Sequence, residues 1–593
     1  MNYRLNTKEN AEGGKGTLKK ALTRLVPLMK EEKGNVIIAI IATLVSSGAS
    51  LVAPIIIAHT VDTYIDNKQF HGVIVFSSLL FVIYVAGAIA SYVQTLTMGG
   101  VGRRVLYNLR NAIFTKLQEL PVAFFNQNKA GDLISRINND TDKLNQFFAQ
   151  ALNQFLANGV LIVGAGIFLI ALNVKLGLAA LVPALGVLIV TQLVSGWVQK
   201  KNLTSLQTLG GLSAEIQESL NNFKVIVAFN RLDYFRQKFN GANESNYKSS
   251  VSAGIANNIF LPIYGLAANL AQLIVLAYGI ALIEGGHMTI GLLIGFTLYV
   301  TNFYNPLRQL ASVWSSLQLA LAALDRISEV LGLESDMKVM ISEKAAADPS
   351  EAKSNAILEF KDVAFRYFDS GDILKNISFT LEKGKTYALV GPTGGGKTTT
   401  ASLMARLYDP TEGAIFLDGK DIRAYSPAER AKKIGFILQE PFLFTGTVRD
   451  NILYANEDYK EHSNDELMKV IEKAHLTGLL KRFDNGLDTE VTSSGDGISL
   501  GQKQLIAFMR ASLRNPEILI LDEATANIDT VTEALLDEIL RELPPTTTKV
   551  IIAHRLNTIA NADDIFFVNG GKVTEAGSME KAVEMIMHGK RSS

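Results

Sequence analysis

The sequence predicts two unlike parts in one chain: an α-helical six-span transmembrane domain, then an α/β domain built around a phosphate-binding P-loop. Three observations carry this. Long apolar segments recur between residues 35 and 312. From 357 to about 585, strand-like and helix-like runs alternate. Within that second stretch stands Gly391-Pro392-Thr393-Gly394-Gly395-Gly396-Lys397-Thr398, between the apolar run 387–390 and a helix-like stretch from Thr399 to Tyr408.

Length and composition agree with two parts. The chain has 593 residues, too many for one core. Its formal net charge is zero, which argues against nucleic-acid binding by bulk electrostatics. It has no cysteine, which excludes disulfides, thiolate metal sites and cysteine catalysis. Hydrophobic residues make up 48% and charged residues 19%, an average over two unlike halves.

Residues 1–34 are polar and basic, with Lys15, Lys19, Lys20, Arg24, Lys30 and Lys33, and carry no signal-peptide pattern. Residues 18–29 fit either an amphipathic helix on a membrane surface or a solvated tail. Spans are expected at about 35–58, 73–98, 153–172, 176–197, 255–283 and 289–312. Each is near the roughly 20 residues a helix needs to cross hydrocarbon. Soluble helices of that length would show a polar face. The links after the first, third and fifth spans are short and hold only Lys68 and Lys175 as basic residues. Those after the second and fourth are long and rich in Lys and Arg, from Arg103 to Lys143 and from Lys200 to Lys248. The positive-inside rule therefore places the long links, both termini and the phosphate loop in the cytoplasm, where ATP is.

In the first long link, Leu106, Leu109, Ile113, Leu117 and Leu120 recur at helical spacing, so the spans are expected to continue as stalks. Uncharged polar residues fall inside the spans: Gln94, Gln192, Asn257, Asn258, Asn269 and Gln272. Some could line a cavity, but bonding between helices is the commoner use. Kinks are expected at Pro54, Pro183, Pro262 and Pro306. Residues 333–356 break the pattern and read as a linker. Strands are expected at 357–360, 386–390, 434–438, 518–521, 549–553 and 565–568.

The glycine loop has a chemical purpose. Glycines let backbone N–H groups converge on phosphate oxygens without a Cβ in the way. The helix N-terminus adds unpaired donors and a partial positive charge. Lys397 can reach the β- and γ-phosphates, and the Thr398 hydroxyl can ligate Mg²⁺. The buried-strand run 518–521 ends in Asp522-Glu523. Asp522 is suited to the Mg²⁺ shell, and Glu523 to polarising an attacking water.

At this point nearly the whole chain resembles a half-transporter of the ATP-binding cassette (ABC) exporter type. Phe124-Phe125 with Gly131-Asp132-Leu133-Ile134-Ser135-Arg136 and Asp140 resembles the family's first cytoplasmic loop, and 223–230 its second. The resemblance implies roles at matching positions. Tyr367 would stack on adenine. Gln439 would touch Mg²⁺ and the attacking water and link the site to the membrane loops. His554 would contact the γ-phosphate. Asp529, in Ala526-Asn527-Ile528-Asp529, would belong to the loop that crosses to a partner. Ser499, Gly501 and Gln502, in Ile498-Ser499-Leu500-Gly501-Gln502, would form the signature that meets the ATP of the opposite subunit. A single copy then cannot complete a site, so a second ABC half-transporter is required.

The sequence departs from the family pattern at Leu500, where the usual signature has Gly, at Thr492-Ser493, where it has Gly-Glu, and at Ala526-Asn527-Ile528-Asp529 in place of Ser-Ala-Leu-Asp. Intact Glu523 and His554 beside a substituted signature favour one half of a heterodimer over a homodimer that tolerates Leu500. The implied protein is an ATP-hydrolysing exporter subunit of a bacterial inner membrane, using ATP and Mg²⁺ and moving a small amphipathic substrate. An ATP-gated channel or regulator on the same fold is the alternative, and it usually shows degraded catalytic residues or added regulatory segments. The apolar spans exclude a soluble nucleic-acid ATPase. No peptidase domain is expected ahead of the first span.

Overall fold

The computed structural model describes residues 2–5, 26–340, 355–492, 497–522, 530–552 and 561–589. The chain divides into two compact units. One comprises Leu5–Gln118 and Ala130–Gly332. The other comprises Met1–Arg4, Glu119–Lys129 and Leu333–Ser593.

The first unit is helical for a physical reason. Hydrocarbon offers no partner to a backbone N–H or C=O, so a crossing segment must close its hydrogen bonds internally. Among the described residues, five helical segments are long and apolar enough to cross: Pro27–Ile65, Phe70–Glu119, Ala130–Leu172, Val174–Asn221 and Leu232–Glu284. The sixth expected span lies in the helix Ile290–Leu331. There Thr297, Thr301, Asn302 and Asn305 dilute the apolar run, and Arg308 falls inside it. The 50-residue helix Phe70–Glu119 is about 75 Å long at the usual rise, more than twice the hydrocarbon thickness. With the 48-residue helix Val174–Asn221 it supplies the expected stalks.

The helices pack through small residues. Ala165, Ala180, Ala267 and Ala271 sit in one buried cluster with Phe296, Tyr299 and Tyr304, as suits helices that must approach closely without a hydrophobic drive. Two buried tyrosine hydroxyls are satisfied: Tyr304 donates to the Ala180 carbonyl at 2.8 Å, and Tyr299 to that of Leu51. Three of the six intramembrane amides tie helices together. Gln94 donates to Asn153. Gln272 donates to Thr301 at 3.3 Å. Asn257 and Asn202 exchange amide bonds at 2.8 and 2.9 Å. Asn258 bonds its own helix at Gly254, whereas Gln192 and Asn269 are exposed. The helices run on through Pro54, Pro183 and Pro306. Only near Pro262 is there a break, between Leu232–Asn258 and Phe260–Glu284, because Pro262 cannot donate to the Asn258 carbonyl.

A buried charge cluster holds the loop after the second span to the end of the last helix. Arg136 is 1% exposed and pairs with Asp132 at 3.0 Å and Glu329 at 2.8 Å. It also donates to the Arg326 carbonyl. Arg326 returns to Asp132 at 2.6 Å and to the fully buried Asp140 at 3.2 Å. Lys143 completes the cluster on Asp140 at 3.0 Å.

The second unit contains the α/β fold. Its strands are β1 (Ala356–Arg366), β2 (Asp372–Glu382), β3 (Thr386–Val390), β4 (Glu412–Leu417), β5 (Lys420–Asp421), β6 (Ile434–Ile437), β7 (Gly446–Thr447), β8 (Glu490–Val491), β9 (Ile518–Asp522), β10 (Thr548–Ile552), β11 (Asp564–Asn569) and β12 (Lys572–Glu575). The sheets run β2-β1-β4-β5, β12-β11-β3-β10-β9-β6 and β7-β8. The six-stranded sheet is parallel except for the β11–β12 hairpin. Strand β9, between β10 and β6, is buried along its whole length, which explains the unbroken apolar run 518–521.

The helix after the phosphate loop, Lys397–Met404, is shorter than the expected 399–408. It ends because Arg406 takes a left-handed φ of 50°, and Leu407 N–H returns to the Ser402 carbonyl at 2.8 Å. The buried Arg406 guanidinium repays that conformation with bonds to Asp409 and to the carbonyls of Ile422, Arg423 and Lys338.

Arg136→Met keeps the volume but removes two ion pairs and one carbonyl bond. It should cost about 3 kcal/mol, read as a lower unfolding midpoint in lipid nanodiscs. Asp142→Ala, which removes a half-exposed partner of Arg110, should cost under about 1 kcal/mol. Equal midpoints for the two variants would show that the buried cluster holds nothing.

Candidate functional site

The site lies at the carboxyl edge of the six-stranded sheet, where open α/β sheets bind ligands. The loop leaves β3 at Val390 and turns back over the sheet. Gly391, Gly394 and Gly396 have φ of 145°, 80° and 110°, which L side chains rarely adopt. Two of these also meet close neighbours. A Cβ on Gly391 would lie 2.1 Å from the Val568 carbonyl oxygen, and one on Gly396 would lie 2.9 Å from Leu374 Cδ2. A Cβ on Gly395 would sit 2.5 Å from the same Val568 oxygen. The loop is pressed between β11 on one side and β2 on the other, and glycine is what fits.

Lys397 is buried, and its Nζ donates to the carbonyls of Gly391 and Pro392 at 2.9 and 3.0 Å. The ammonium thus already stands inside the loop it would share with phosphate. Thr398 donates to the buried Asp522 Oδ1 at 3.3 Å. Asp522 arrives there because β9 lies two strands from β3 in a parallel sheet, so both carboxyl ends face the same way. A hydroxyl and a carboxylate held together at a phosphate cradle are hard oxygen donors of the type Mg²⁺ selects. Gln439 follows β6, the edge neighbour of β9, and is exposed at the same rim.

Tyr367 follows β1. Its ring stands edge-on to Phe365 at 4.9 Å and to Tyr408 at 5.3 Å, and its hydroxyl meets Thr399 Oγ1 at 3.1 Å. An aromatic ring is therefore fixed beside the first turn of the phosphate-loop helix. Tyr408, which sequence reading passed over, receives a bond from the Asn126 amide of the segment Glu119–Lys129. Burial pushes the Tyr408 phenol up. Val568 and Leu374 were also missed. Each shapes the loop by steric contact, and no motif marks such a contact.

The second expected cradle is the N-terminus of the helix Leu500–Ser512. Ser499 caps it: its hydroxyl accepts from Gln502 N–H at 3.2 Å, and Gln502 Oε1 accepts from Ser499 N–H at 2.9 Å. Gln502 Nε2 also donates to the Arg482 carbonyl at 2.8 Å. The Gln502 side chain is thus engaged within its own unit. Ser499 and Leu500 remain exposed at the helix end. Glu523, Asp529 and His554 lie outside the described residues, as does Ser493.

The assembled site is that of a nucleotide-hydrolysing domain carried on a helical membrane domain. The family description "ABC transporter transmembrane region" matches residues 36–307, and the description "ABC transporter" matches 374–526. The chain is 33% identical to the uncharacterized ABC transporter ATP-binding protein YfiC of Bacillus subtilis (strain 168), over 97% of this chain and 93% of that protein. It is 31% identical to a multidrug resistance ABC transporter ATP-binding and permease protein of Lactococcus lactis, over 96% and 95% of the two chains. It is also 31% identical to a fatty acid ABC transporter ATP-binding/permease protein of Mycobacterium bovis, over 84% and 78%. The chain belongs to the ABC transporters of the exporter type, with membrane and ATP-binding parts fused. It is an ATPase coupled to transmembrane transport.

The loop geometry separates its glycines. Gly391→Ala combines a left-handed backbone with a clash against Val568, and should weaken ATP binding about a hundredfold. Gly394→Ala has open space around its Cβ and only backbone strain to meet, and should weaken binding about fivefold. Titration with a fluorescent ATP analogue checks the order, and a reversal would disprove this reading of the loop.

Proposed function

We propose that the chain is one half of a heterodimeric exporter that moves an amphipathic or hydrophobic solute out of the cytoplasm or the inner leaflet by alternating access. The observation that carries this is the Thr398–Asp522 contact at 3.3 Å in the mouth of a glycine cradle. Those two oxygens, with Gln439 at the rim, would hold Mg²⁺, whose chemistry is to draw charge from the phosphates. Lys397 would exchange its loop carbonyls for the β- and γ-phosphates. The N–H groups of Thr393 to Thr399 would take the remaining phosphate oxygens, and Tyr367 would stack on adenine. Glu523 would accept the proton of the attacking water, with His554 on the γ-phosphate.

Closure follows from differential affinity. ATP held between two cassettes binds the closed pair more tightly than the open one, so it shifts the population toward closure. Ser499 and the Gly501 N–H would meet the partner's ATP, and the Asp529 loop would cross the same interface. Two exposures support a partner chain. Leu500 is 37% exposed at the signature helix end. In the other unit, Phe223 and Phe229 are 54% and 75% exposed at the tip of the second long loop, an apolar pair that a neighbour would cover. Leu500 in place of glycine favours a partner of different sequence.

The named cargo of relatives supports the substrate class. Multidrug and fatty acid transport, as those relatives' names state, are both the handling of amphipathic solutes. The membrane domain would occupy 35–332 of an inner membrane, with 333–356 as linker and the cassette, 357–593, in the cytoplasm by the positive-inside rule.

The test is ATPase activity of this chain alone in lipid, beside Glu523→Gln. The variant should bind ATP normally and turn over at least about a hundredfold more slowly. Normal turnover in the variant would refute the role of Glu523. A wild-type chain that binds ATP but is inactive alone, and active once a related half with a glycine signature is added, is the expected result. Full activity alone would replace the heterodimer with a homodimer.

A further inference from the structure

Residues 2–4 belong to the same compact unit as the segment Glu119–Lys129 and the cassette, and Tyr3 is among the largest fully buried side chains in the protein, at 1% exposure. A short polar stretch far from any core motif gives no reason for that burial. The contacts do. The Tyr3 N–H donates to Gln127 Oε1 at 2.8 Å, and the Tyr3 carbonyl accepts from Asn128 Nδ2 at 2.9 Å. The hydroxyl donates to Asp336 Oδ1 at 2.6 Å and accepts from the Asp336 N–H at 2.9 Å. The ring stands edge-on to the fully buried Phe124, with centroids 6.4 Å apart. Burial first, and the bond to Asp336 second, hold the phenol well above its ordinary range, so it stays a donor at any physiological pH.

These bonds converge on one short element. The helix Val122–Gln127 has six residues, too few to hold its own shape or place. Tyr3 grips it at Phe124, Gln127 and the following Asn128, and ties it to Asp336 in the stretch that follows the last long helix. From the same short helix, Asn126 reaches Tyr408, and the Tyr408 ring abuts Tyr367, whose hydroxyl meets Thr399. Arg4 stands 3.8 Å from Asp369, two residues beyond Tyr367. That pair is exposed and contributes little by itself, but it puts residues 2–4 alongside the loop that carries Tyr367.

We propose that residues 2–4 act as a strap, with Tyr3 the positioning residue that holds Val122–Gln127 against the cassette so that Asn126 stays on Tyr408. This rests on the exporter reading, in which the first long loop carries movement between cassette and membrane domain. Tyr3 touches neither nucleotide nor phosphate loop. Its loss therefore leaves ATP binding in place and removes the transmission of its effect to the loop.

The test uses the full chain in nanodiscs, with its partner half where activity requires one. Hydrogen–deuterium exchange is followed at 119–129 and at 391–398, with and without MgATP. Tyr3→Ala should raise exchange at 119–129 at least about tenfold. MgATP should still protect 391–398 as in the wild type. Turnover should fall about tenfold in kcat with KM within about twofold, the split expected of a group that acts after binding. Tyr3→Phe keeps the ring and loses the bonds to Asp336, and should lie between wild type and Tyr3→Ala in both readouts. Asp336→Asn keeps an acceptor for the hydroxyl and should retain wild-type behaviour in both readouts. Wild-type exchange at 119–129 in Tyr3→Ala would overturn the strap. A wild-type protein without ATPase activity even when a related half is added would overturn the exporter reading instead, and the exchange measurement would still decide the strap.

Discussion

The close approach of the phosphate loop to the Val568 carbonyl is the constraint on which the ATP-binding unit depends. Strand β11 lies beside β3, with Phe567 opposite Val390. The backbone just past that register has no room for a side chain on Gly391 or Gly395. From the other face, the Ile373–Leu374 corner of β2 closes on Gly396. A loop squeezed between two sheets cannot carry Cβ atoms inward, and what it then presents outward is backbone N–H. The same squeeze delivers the N-terminus of the helix Lys397–Met404 to the sheet edge, where β9 brings Asp522. Anion-binding chemistry is here a consequence of packing, with the glycines as the condition for it.

In the membrane unit the solvent imposes a different rule. Lipid does not drive helices together by hydrophobicity, so contacts must come from close packing and from polar ties. The alanines around Tyr299 and Tyr304 supply the first, and the Gln94–Asn153, Gln272–Thr301 and Asn202–Asn257 bonds supply the second. Charge is concentrated elsewhere. Arg136, Asp140 and Arg326 form a buried cluster joining the loop after the second span to the last long helix. Asp132 and Asp140 each hold two cations, so the cluster is costly to open. It joins those two segments as a stiff joint.

Where the sequence was legible, the reason is local. The spans announce themselves by length and by the absence of charge, because hydrocarbon tolerates little else. The sixth is weaker because Thr297, Thr301, Asn302 and Asn305 fall within it and Arg308 puts a charge there. Parallel strands buried on both faces, β3 and β9, show unbroken apolar runs and were readable. The antiparallel strands β2, β4 and β5 were not, because their residues alternate and break at turns. The phosphate loop was legible since glycine spacing is dictated by φ. Its seat on Val568 was hidden, since a carbonyl oxygen has no sequence signature. Tyr408 was hidden for a related reason: it lies beyond the helix end set by Arg406, and only the left-handed turn there aims it at Tyr367.

Leu500 shows how a substitution can be silent within one chain. The helix Leu500–Ser512 starts normally: Ser499 caps it, Gln502 closes the capping box, and Leu500 needs no positive φ. Leucine is the better helix former of the two residues. Nothing inside this chain therefore selects glycine at that position. The Leu500 side chain points its consequence outward, on a helix end that is 37% exposed at that residue. Only a ligand approaching the helix N-terminus would meet the added carbons, and a phosphate that needs the backbone N–H groups is such a ligand. On the proposed reading, the glycine of the usual signature would be a requirement set by another subunit's nucleotide. In the proposed heterodimer its replacement would weaken the site that this chain completes for its partner and would leave untouched the cradle at Lys397, which the partner would complete in return.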